Sequence, residues 1–379
     1  MSEAWHVGFL VSDWDGIQKK TPGVARKIQG QVKALGCAGL RVDLVPVGGH
    51  SLRSEKVLDR VPFYSDYEAW REALDANYDG LYIRRPSYVS SGMLKALREY
   101  RTKRPDSLVV YEVPTWPYDA EDRTLPRLPI HIKDLMHRGG LRDVVDRVAD
   151  LSGTDSIFGI QTLPIINGID LDSVRRRNVI NDNDGVVNIV CVAAFARWHG
   201  ADRLLQGLAE YRRKGEPCGS VHLNLVGDGP ELDALKRIAE TGNLSDIVTF
   251  HGMLDASGMV SVYDRCQVGV ASLGLHRIGL DRASTLKTRE YLAKGLPFAY
   301  SGEIDVFEGR DIDFCLQVPA DESPLDIEGV VRFYRSLVDD CEEDALAARI
   351  RSFAESHVSV VAAMASVASF FKNEEIGCA

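Results

Sequence analysis

The sequence predicts an α/β protein built from two doubly wound domains. Three observations carry that prediction. Short apolar runs with strand character alternate with amphipathic helical patterns along the chain. The alternation breaks in a turn-rich stretch between Asn167 and Gly185 and restarts at Val186. The chain has 379 residues, too many for one ordinary core. Hydrophobic residues at 45% and charged residues at 26% fit a soluble globular protein. A net charge of −10 argues against a dedicated nucleic-acid binder. The N-terminus lacks a basic leader and no apolar run is long enough to span a bilayer, so neither a signal peptide nor a membrane span is expected. Seven cysteines form no CxxC pair and are odd in number, which predicts reduced thiols in a cytoplasmic setting. No HExxH or clustered Cys/His spacing predicts a metal site.

In the first half, Trp5 to Val11 reads as a buried strand, and Ser12 to Gly23 as a polar loop with turn signals at Gly16 and Pro22-Gly23. Val24, Ile28, Val32 and Leu35 then recur at helical spacing, with Gly36 and Gly39 closing the helix before a strand from Leu40 to Val47. This is a βαβ unit whose first loop lies at the carboxyl end of its strand, where open α/β sheets bind ligands. Gly16, Lys19, Lys20 and Gly23 are therefore candidates to line a ligand site, although two adjacent lysines also read as a solvated face. The pattern continues through a helix from Tyr67 to Ala76, a strand from Gly80 to Ile83, a helix from Ser90 to Lys103 and a strand from Leu108 to Val113. The stretch Glu112 to Glu121, EVPTWPYDAE, is dense in aromatics, prolines and acids. Aromatic faces beside carboxylates suit a sugar; the same loop also reads as a proline-pinned packing element. His131 and His137 follow at helical spacing.

In the second half, Val186 to Ala194 reads as a buried strand, followed by a loop with Arg197 and a helix with Leu204, Leu205, Leu208 and Tyr211 on one face. Strands at Val221 to Val226, Ile247 to Phe250, Gln267 to Ala271 and Phe298 to Ser301 complete a second doubly wound pattern, with a helix carrying Leu232, Leu235 and Ile238 after Gly227-Asp228-Gly229-Pro230. Asp326 to Val338, Cys341 to His357 and Val358 to Phe371 read as helices, the last more as core than as an interfacial anchor. Two such domains in succession imply a cleft between them.

The stretch from Gly274 to Pro297 concentrates the chemistry. A glycine-bearing loop leads to a helix that Ser284 or Thr285 can cap, with Gly295 and Pro297 closing it. Free amides at such a helix start favour an anion, and Lys287 adds a cation in the first turn. Glu290 lies three residues on and shares a face with Lys287. A cation and open amides beside a carboxylate suit a phosphate next to a ribose diol; an ordinary capped helix with a surface ion pair is the plain alternative.

Four pieces in order carry a family resemblance: NGID (Asn167 to Asp170), VGDGPEL (Val226 to Leu232), VTFHG (Val248 to Gly252) and REYLAKGLP (Arg289 to Pro297). The chain resembles the GT-B glycosyltransferases, in particular the retaining group-1 enzymes of family GT4. Its wording at WHGADR, EVPTWPYDAE and TLKTREYLAKGLP also looks like enzymes of bacterial surface polysaccharide assembly. The resemblance covers the C-terminal half well and the N-terminal half mainly in layout. It implies two Rossmann-like domains facing across a cleft. Residues 1–170 would bind the acceptor, joined by a crossover helix at about 358–379, and residues 171–357 would bind the donor.

Residue by residue, the resemblance implies that Glu290 is the second acid of the family's E-x7-E motif and binds the ribose. Lys287 and Arg197 would bind the donor diphosphate, with amides near Thr285 and Leu286, after Ser284. Gly252, Met253 and Leu254 would border the base, and Gly227 and Gly229 would flank the nucleotide. Two departures stand out. The first acid of E-x7-E is replaced by Arg282 beside Asp281, and the usual basic residue before the glycine of the first donor-domain loop is replaced by Trp198-His199-Gly200. Arg282 would either add charge to the diphosphate site or pair with Asp281. Glu112, Asp119 and His131 are candidates for positioning or deprotonating the acceptor. The implied reaction moves a hexosyl group from a UDP- or GDP-linked sugar to a saccharide or lipid-linked acceptor, with no metal and no other cofactor. A lipid-linked acceptor would bring the chain to the inner membrane face. The competing readings are a catalytically inactive partner subunit and a nucleotide-sugar epimerase on the same fold.

Overall fold

The computed structural model describes residues 4–48, 66–118, 128–180 and 185–373. They divide into two compact units: one runs to Gly168 and takes back the C-terminal segment from Val360, and the other is Ile169–Ser359.

The first unit opens with β1 (His6–Ser12), α1 (Trp14–Lys20), α2 (Pro22–Cys37) and β2 (Arg41–Val47). It continues with α3 (Tyr67–Ala73), β3 (Gly80–Arg84), α4 (Ser91–Lys103), β4 (Leu108–Val113) and α5 (Leu128–His137). The strands β5 (Arg147–Asp150), β6 (Ser156–Ile157) and β7 (Ile160–Pro164) close it. The sheet order is β2-β1-β3-β4-β5-β7-β6, parallel except for β6 against β7. Parallel strands buried on both faces need near-continuous apolar sequence, which is what FLV in β1 and LVV in β4 supply. Separate apolar clusters cover the two faces, one around Trp70, Leu97 and Tyr111, the other around Phe9, Ile28 and Tyr82.

The stretch Ser12 to Gly23 is not the loop its composition predicts. Asp13 takes a left-handed conformation (φ 52°) and starts α1, which Trp14 anchors in the core. Asp15, Gln18, Lys19 and Lys20 form the exposed side of this short helix, so its polarity reads as loop. Gly16 is buried within α1, and Gly23 lies in the first turn of α2 behind Pro22, a favoured residue at a helix start.

The second unit contains β8 (Val187–Val192), α6 (Ala201–Arg213), β9 (Val221–Val226), α7 (Leu232–Thr241), β10 (Val248–Gly252), α8 (Ala256–Arg265) and β11 (Val268–Val270). Next come β12 (Arg282–Ala283), α9 (Leu286–Lys294), β13 (Phe298–Ser301), β14 (Glu303–Ile304), β15 (Cys315–Val318), α10 (Ile327–Asp340) and α11 (Glu343–His357). Its main sheet is parallel in the order β10-β9-β8-β11-β13-β15, and β12 pairs with β14 separately. Counted within the unit this is 3-2-1-4-5-6, a doubly wound order whose direction reverses between β8 and β11. Leu204, Leu205, Leu208 and Tyr211 of α6 join β8 and β9 in one core.

The C-terminal segment predicted as one helix from Val358 to Phe371 is two, α12 (Val360–Ala363) and α13 (Ala365–Phe371), parted at Met364. Val360, Met364, Val367, Ala368 and Phe371 pack into the first unit's core with Ile28 and Leu35 of α2. Among the described residues no helix is long and apolar enough to cross a membrane.

Candidate functional site

The candidate site lies in the second unit, at the carboxyl edge of its sheet where β8 and β11 run side by side. Crossovers leave these two strands toward opposite faces, which opens a crevice between the loops that follow them. After β8 the chain passes through Ala193 to Ala196 into a short turn, Arg197–His199, and Gly200 leads into α6. The His199 carbonyl accepts the Leu273 amide at 3.0 Å, which ties the loop after β8 to the loop after β11. The loop after β9 lies against the same turn. Gly227 has φ 126°, and a Cβ there would sit 1.9 Å from the Ala193 carbonyl oxygen, so only glycine allows this approach. Its amide donates to the Gly252 carbonyl at 2.8 Å, linking β9 to the end of β10.

Arg277 holds the loop after β11 in place. Its guanidinium donates to both carboxylate oxygens of Asp202 (2.9 and 2.8 Å), to Glu322 (2.9 and 2.6 Å) and to the Arg197 carbonyl (2.8 Å). These partners raise its pKa, and Glu322, with His276 also donating to it, falls to about 2. Arg203, almost fully buried, ties α6 to the Leu273, Pro319 and Ser323 carbonyls. These two arginines fix the loops that flank the crevice. Sequence reasoning passed over both, because arginine in a helix or loop reads as surface.

The helix α9 starts at this edge. Thr285 caps it, its hydroxyl accepting the Thr288 amide at 3.4 Å, and Gly295 ends it in a left-handed conformation. Ser284 instead accepts from the buried Arg289, which pairs with buried Asp305 and so pins the helix start from below. Leu286 is exposed. Lys287 projects from the first turn with its ammonium nitrogen buried and without a hydrogen-bond partner. Burial lowers its pKa, partly opposed by Cys191. His199 is nearby: its Nδ1 accepts the Ala196 amide at 3.0 Å, which leaves the proton on Nε2 in the neutral ring. Burial first, and the Lys287 charge second, push the His199 pKa down to about 4. The corner thus offers one cation, one neutral ring N–H and the first amides of α9. A buried lysine without a partner is an expensive arrangement unless an anion meets it.

Glu290 faces a different neighbourhood. Its carboxylate raises the pKa of Tyr263, after burial, and opposes the lowering of Lys294 by burial. It is half-buried and does not reach the Lys287 ammonium by a hydrogen bond. Met253 is exposed and Leu254 half-buried beside Gly252. Arg282 does not form the ion pair with neighbouring Asp281; it pairs with Glu308 at 2.8 Å, since β12 carries it alongside β14. Asp281 is exposed. Arg197 is exposed and lines a cavity of about 250 Å³ between α6 and α7 with Gln206, Glu231 and Arg277.

In the first unit, Glu112 is part of β4 and not of the loop after it. It is fully buried, paired with Arg84 (2.7 Å) and Lys27 (3.8 Å), and accepts from the Tyr82 hydroxyl (3.1 Å) and Gln31 (3.3 Å). Burial pushes its pKa up, but Arg84, Lys27 and the two hydrogen bonds outweigh it and the net shift is downward. His131 is buried on α5 with Nδ1 unpartnered. Asp119 lies outside the described residues. Among the described residues, no three His, Cys, Asp or Glu side chains gather where they could hold a metal ion.

Residues 187–318 match the family described as glycosyl transferases group 1. No curated protein matches the chain. Among solved structures, a glycosyltransferase from Rickettsia africae superposes with a TM-score of 0.63 at 12% identity, covering 98% of each chain. A sucrose-phosphate synthase from Thermosynechococcus elongatus gives 0.58 at 16% identity, covering 97% of this chain and 98% of its own. HepE from Anabaena, in complex with UDP and glucose, gives 0.53 at 15% identity over 97% and 99%. The fold is GT-B. The family match and these likenesses together support a glycosyltransferase of that type.

Proposed function

We propose that the chain is a retaining glycosyltransferase that moves a hexosyl group from a UDP- or GDP-linked sugar to a saccharide or lipid-linked saccharide in surface polysaccharide assembly. The observation that carries this reading is the Lys287 ammonium, buried and unpartnered in the first turn of α9. Breaking the bond between the sugar C1 and the diphosphate leaves the electron pair on a phosphate oxygen. In this reading Lys287, the His199 Nε2–H and the α9 amides stabilise that charge, which asks for no metal. The acceptor hydroxyl oxygen forms the new bond to C1 and passes its proton to the departing diphosphate oxygen. Glu290 would take the ribose hydroxyls, with Gly252 to Leu254 bordering the base. The complex of HepE with UDP and glucose supports a nucleotide-sugar donor, and the resemblance to group-1 enzymes supports retention. Arg197 and the exposed Asp281 are further candidates for the donor's phosphate and sugar ends. A lipid-linked acceptor would take the chain to the inner membrane face.

The test is a screen of nucleotide sugars for release of nucleoside diphosphate, with Lys287→Gln and Glu290→Gln alongside the parent. Both variants are expected to fold and to lose more than tenfold in rate. Parent-like rates in both would overturn the site assignment. A second reading, an inactive partner subunit, draws on Arg282, which stands at the first acid of E-x7-E and is engaged by Glu308. Calorimetry with UDP and GDP separates the two: absence of binding to either would favour the inactive subunit.

A further inference from the structure

Most polar side chains of the two loops at the Lys287 corner are spent inside the protein. Arg277 is taken by Asp202, Glu322 and the Arg197 carbonyl, and His276 by Glu322. Arg282 is drawn to Glu308, Ser284 accepts from Arg289, and Thr285 caps α9. Arg197 lines the separate cavity between α6 and α7. What the loops present outward is apolar. Trp198, Ile278, Leu280 and Leu286 are 42%, 49%, 48% and 53% exposed. Single exposed apolar side chains are ordinary, but four around one charged corner match a small-molecule site, where apolar walls surround a few placed polar groups.

Contacts bring the four to one place. The Leu273 amide reaches the His199 carbonyl at 3.0 Å, and a Cβ at Gly274 would lie 3.0 Å from the Arg197 carbonyl oxygen. The loop with Ile278 and Leu280 therefore packs on the turn with Trp198, and the Leu280 amide folds it back by donating to the Leu275 carbonyl at 3.2 Å. The Trp198 ring centre is 5.6 Å from that of His199, and Leu286 directly precedes Lys287. One exposed carboxylate, Asp281, completes the rim. The occupant follows from the donor-site reading, on which this inference rests. There the diphosphate meets Lys287 and His199. The base lies by Gly252 to Leu254 at the β10 end of the sheet, so the sugar lies toward the loop after β11. A sugar hydroxylated all round would set hydroxyls without partners against these side chains, whereas a methyl group fits them.

We propose that the transferred sugar bears a methyl group, as a 6-deoxyhexose or an N-acetylhexosamine does, and that Trp198 and Leu280 select it. The experiment is titration calorimetry of the full chain with two matched donor pairs, each pair differing at one carbon. One pair is GDP-6-deoxymannose and GDP-mannose; the other is UDP-N-acetylglucosamine and UDP-glucose. UDP and GDP alone are the reference. In one pair the parent should bind the methyl-bearing donor at least about tenfold more tightly than its hydroxyl twin, and the pair that responds identifies the source of the methyl. Trp198→Ala and Leu280→Ser, both at exposed positions, should each bring that ratio below about threefold while binding UDP or GDP within about twofold of the parent. Equal binding of the twins in both pairs, or a preference for the hydroxyl twin, would overturn the proposal and leave the donor site standing. So would a ratio unchanged in both variants. Absence of binding to both UDP and GDP would overturn the proposal together with the reading it rests on.

Discussion

Burial and, after it, the Lys287 ammonium hold the His199 imidazole in its neutral form, with a pKa of about 4. The converse also matters: a buried ammonium with no hydrogen-bond partner destabilises the fold it sits in. Lys287→Met keeps the apolar stem and removes the charge. The variant is expected to be more stable than the parent by about 1–2 kcal/mol in urea unfolding. It should bind UDP or GDP at least tenfold more weakly, and the His199 pKa should rise in an NMR titration. A less stable variant with unchanged binding would mean that Lys287 serves the fold and not an anion.

Stability should fall as the medium is acidified through the histidine range. In the unfolded chain His199 titrates near ~6.5. Its folded pKa of about 4 lies below that, so between the two the unfolded state binds more protons and stability rises with pH. Burial also lowers His222 and His251, which act in the same direction. His199 is only half-buried, so after solvent screening its share between pH 7.5 and pH 4.5 is about 1–2 kcal/mol. Urea midpoints at the two pH values measure the slope. His199→Asn can still accept the Ala196 amide and should flatten it by that amount; an unchanged slope would place the acid sensitivity elsewhere.

Arg277 joins four segments through side chains and one carbonyl: the loop after β11, the turn after β8, the first turn of α6 and the segment before α10. Arg277→Ala is expected to cost about 2–3 kcal/mol, because charge-assisted bidentate pairs are lost together. Arg277→Lys keeps the charge but not the fork, and should recover less than half. The readout specific to the site is KM for the donor, which should rise in both variants. A loss of stability with unchanged KM would make Arg277 purely structural.

Two glycines near the site should respond differently to alanine. At Gly227 the new Cβ meets the Ala193 carbonyl oxygen at 1.9 Å, so the loop after β9 must move. Gly227→Ala should destabilise by about 3 kcal/mol or more and impair donor binding. At Gly252 the φ of 66° is left-handed but the space is open. Gly252→Ala should lose only about 1 kcal/mol. Equal losses at the two positions would contradict the packing of Gly227 on Ala193.

Much of this fold is legible in the sequence, and the limits are physical. Buried parallel strands such as LVVYEV and VNIVCV leave continuous apolar runs, and amphipathic helices such as α6 leave a clear period. The helix α1 escaped because Trp14 is its main anchor and its exposed face looks like a loop. The strands β5 and β7 are only four and five residues long and passed unread. At the site, the start of α9 and the position of Lys287 could be read from a capping residue and spacing. That Lys287 would be buried, that Arg282 would face Glu308 and that Arg203 and Arg277 would hold the loops depend on contacts distant in sequence, for which one chain carries no local signal.

Glu112 illustrates how burial changes the meaning of a residue. As a loop carboxylate it was a candidate base; as a fully buried member of β4 it is a counter-ion shared by Lys27 and Arg84. A base must reach the acceptor proton and hold a pKa near the working pH, and Glu112 is enclosed with its pKa held below the usual 4.5. Glu112→Gln removes the charge while keeping the shape, leaving two buried cations without their anion. It should destabilise the fold by about 3 kcal/mol. Because the folded pKa is depressed, this stabilisation is present above the unfolded value and lost as pH falls through the folded one. The gap between parent and variant should therefore be widest at neutral pH and narrow below pH ~4. Urea unfolding at pH 7 and pH 3.5 checks both claims. A variant as stable as the parent, with kcat reduced a hundredfold or more, would return Glu112 to the role of catalytic base.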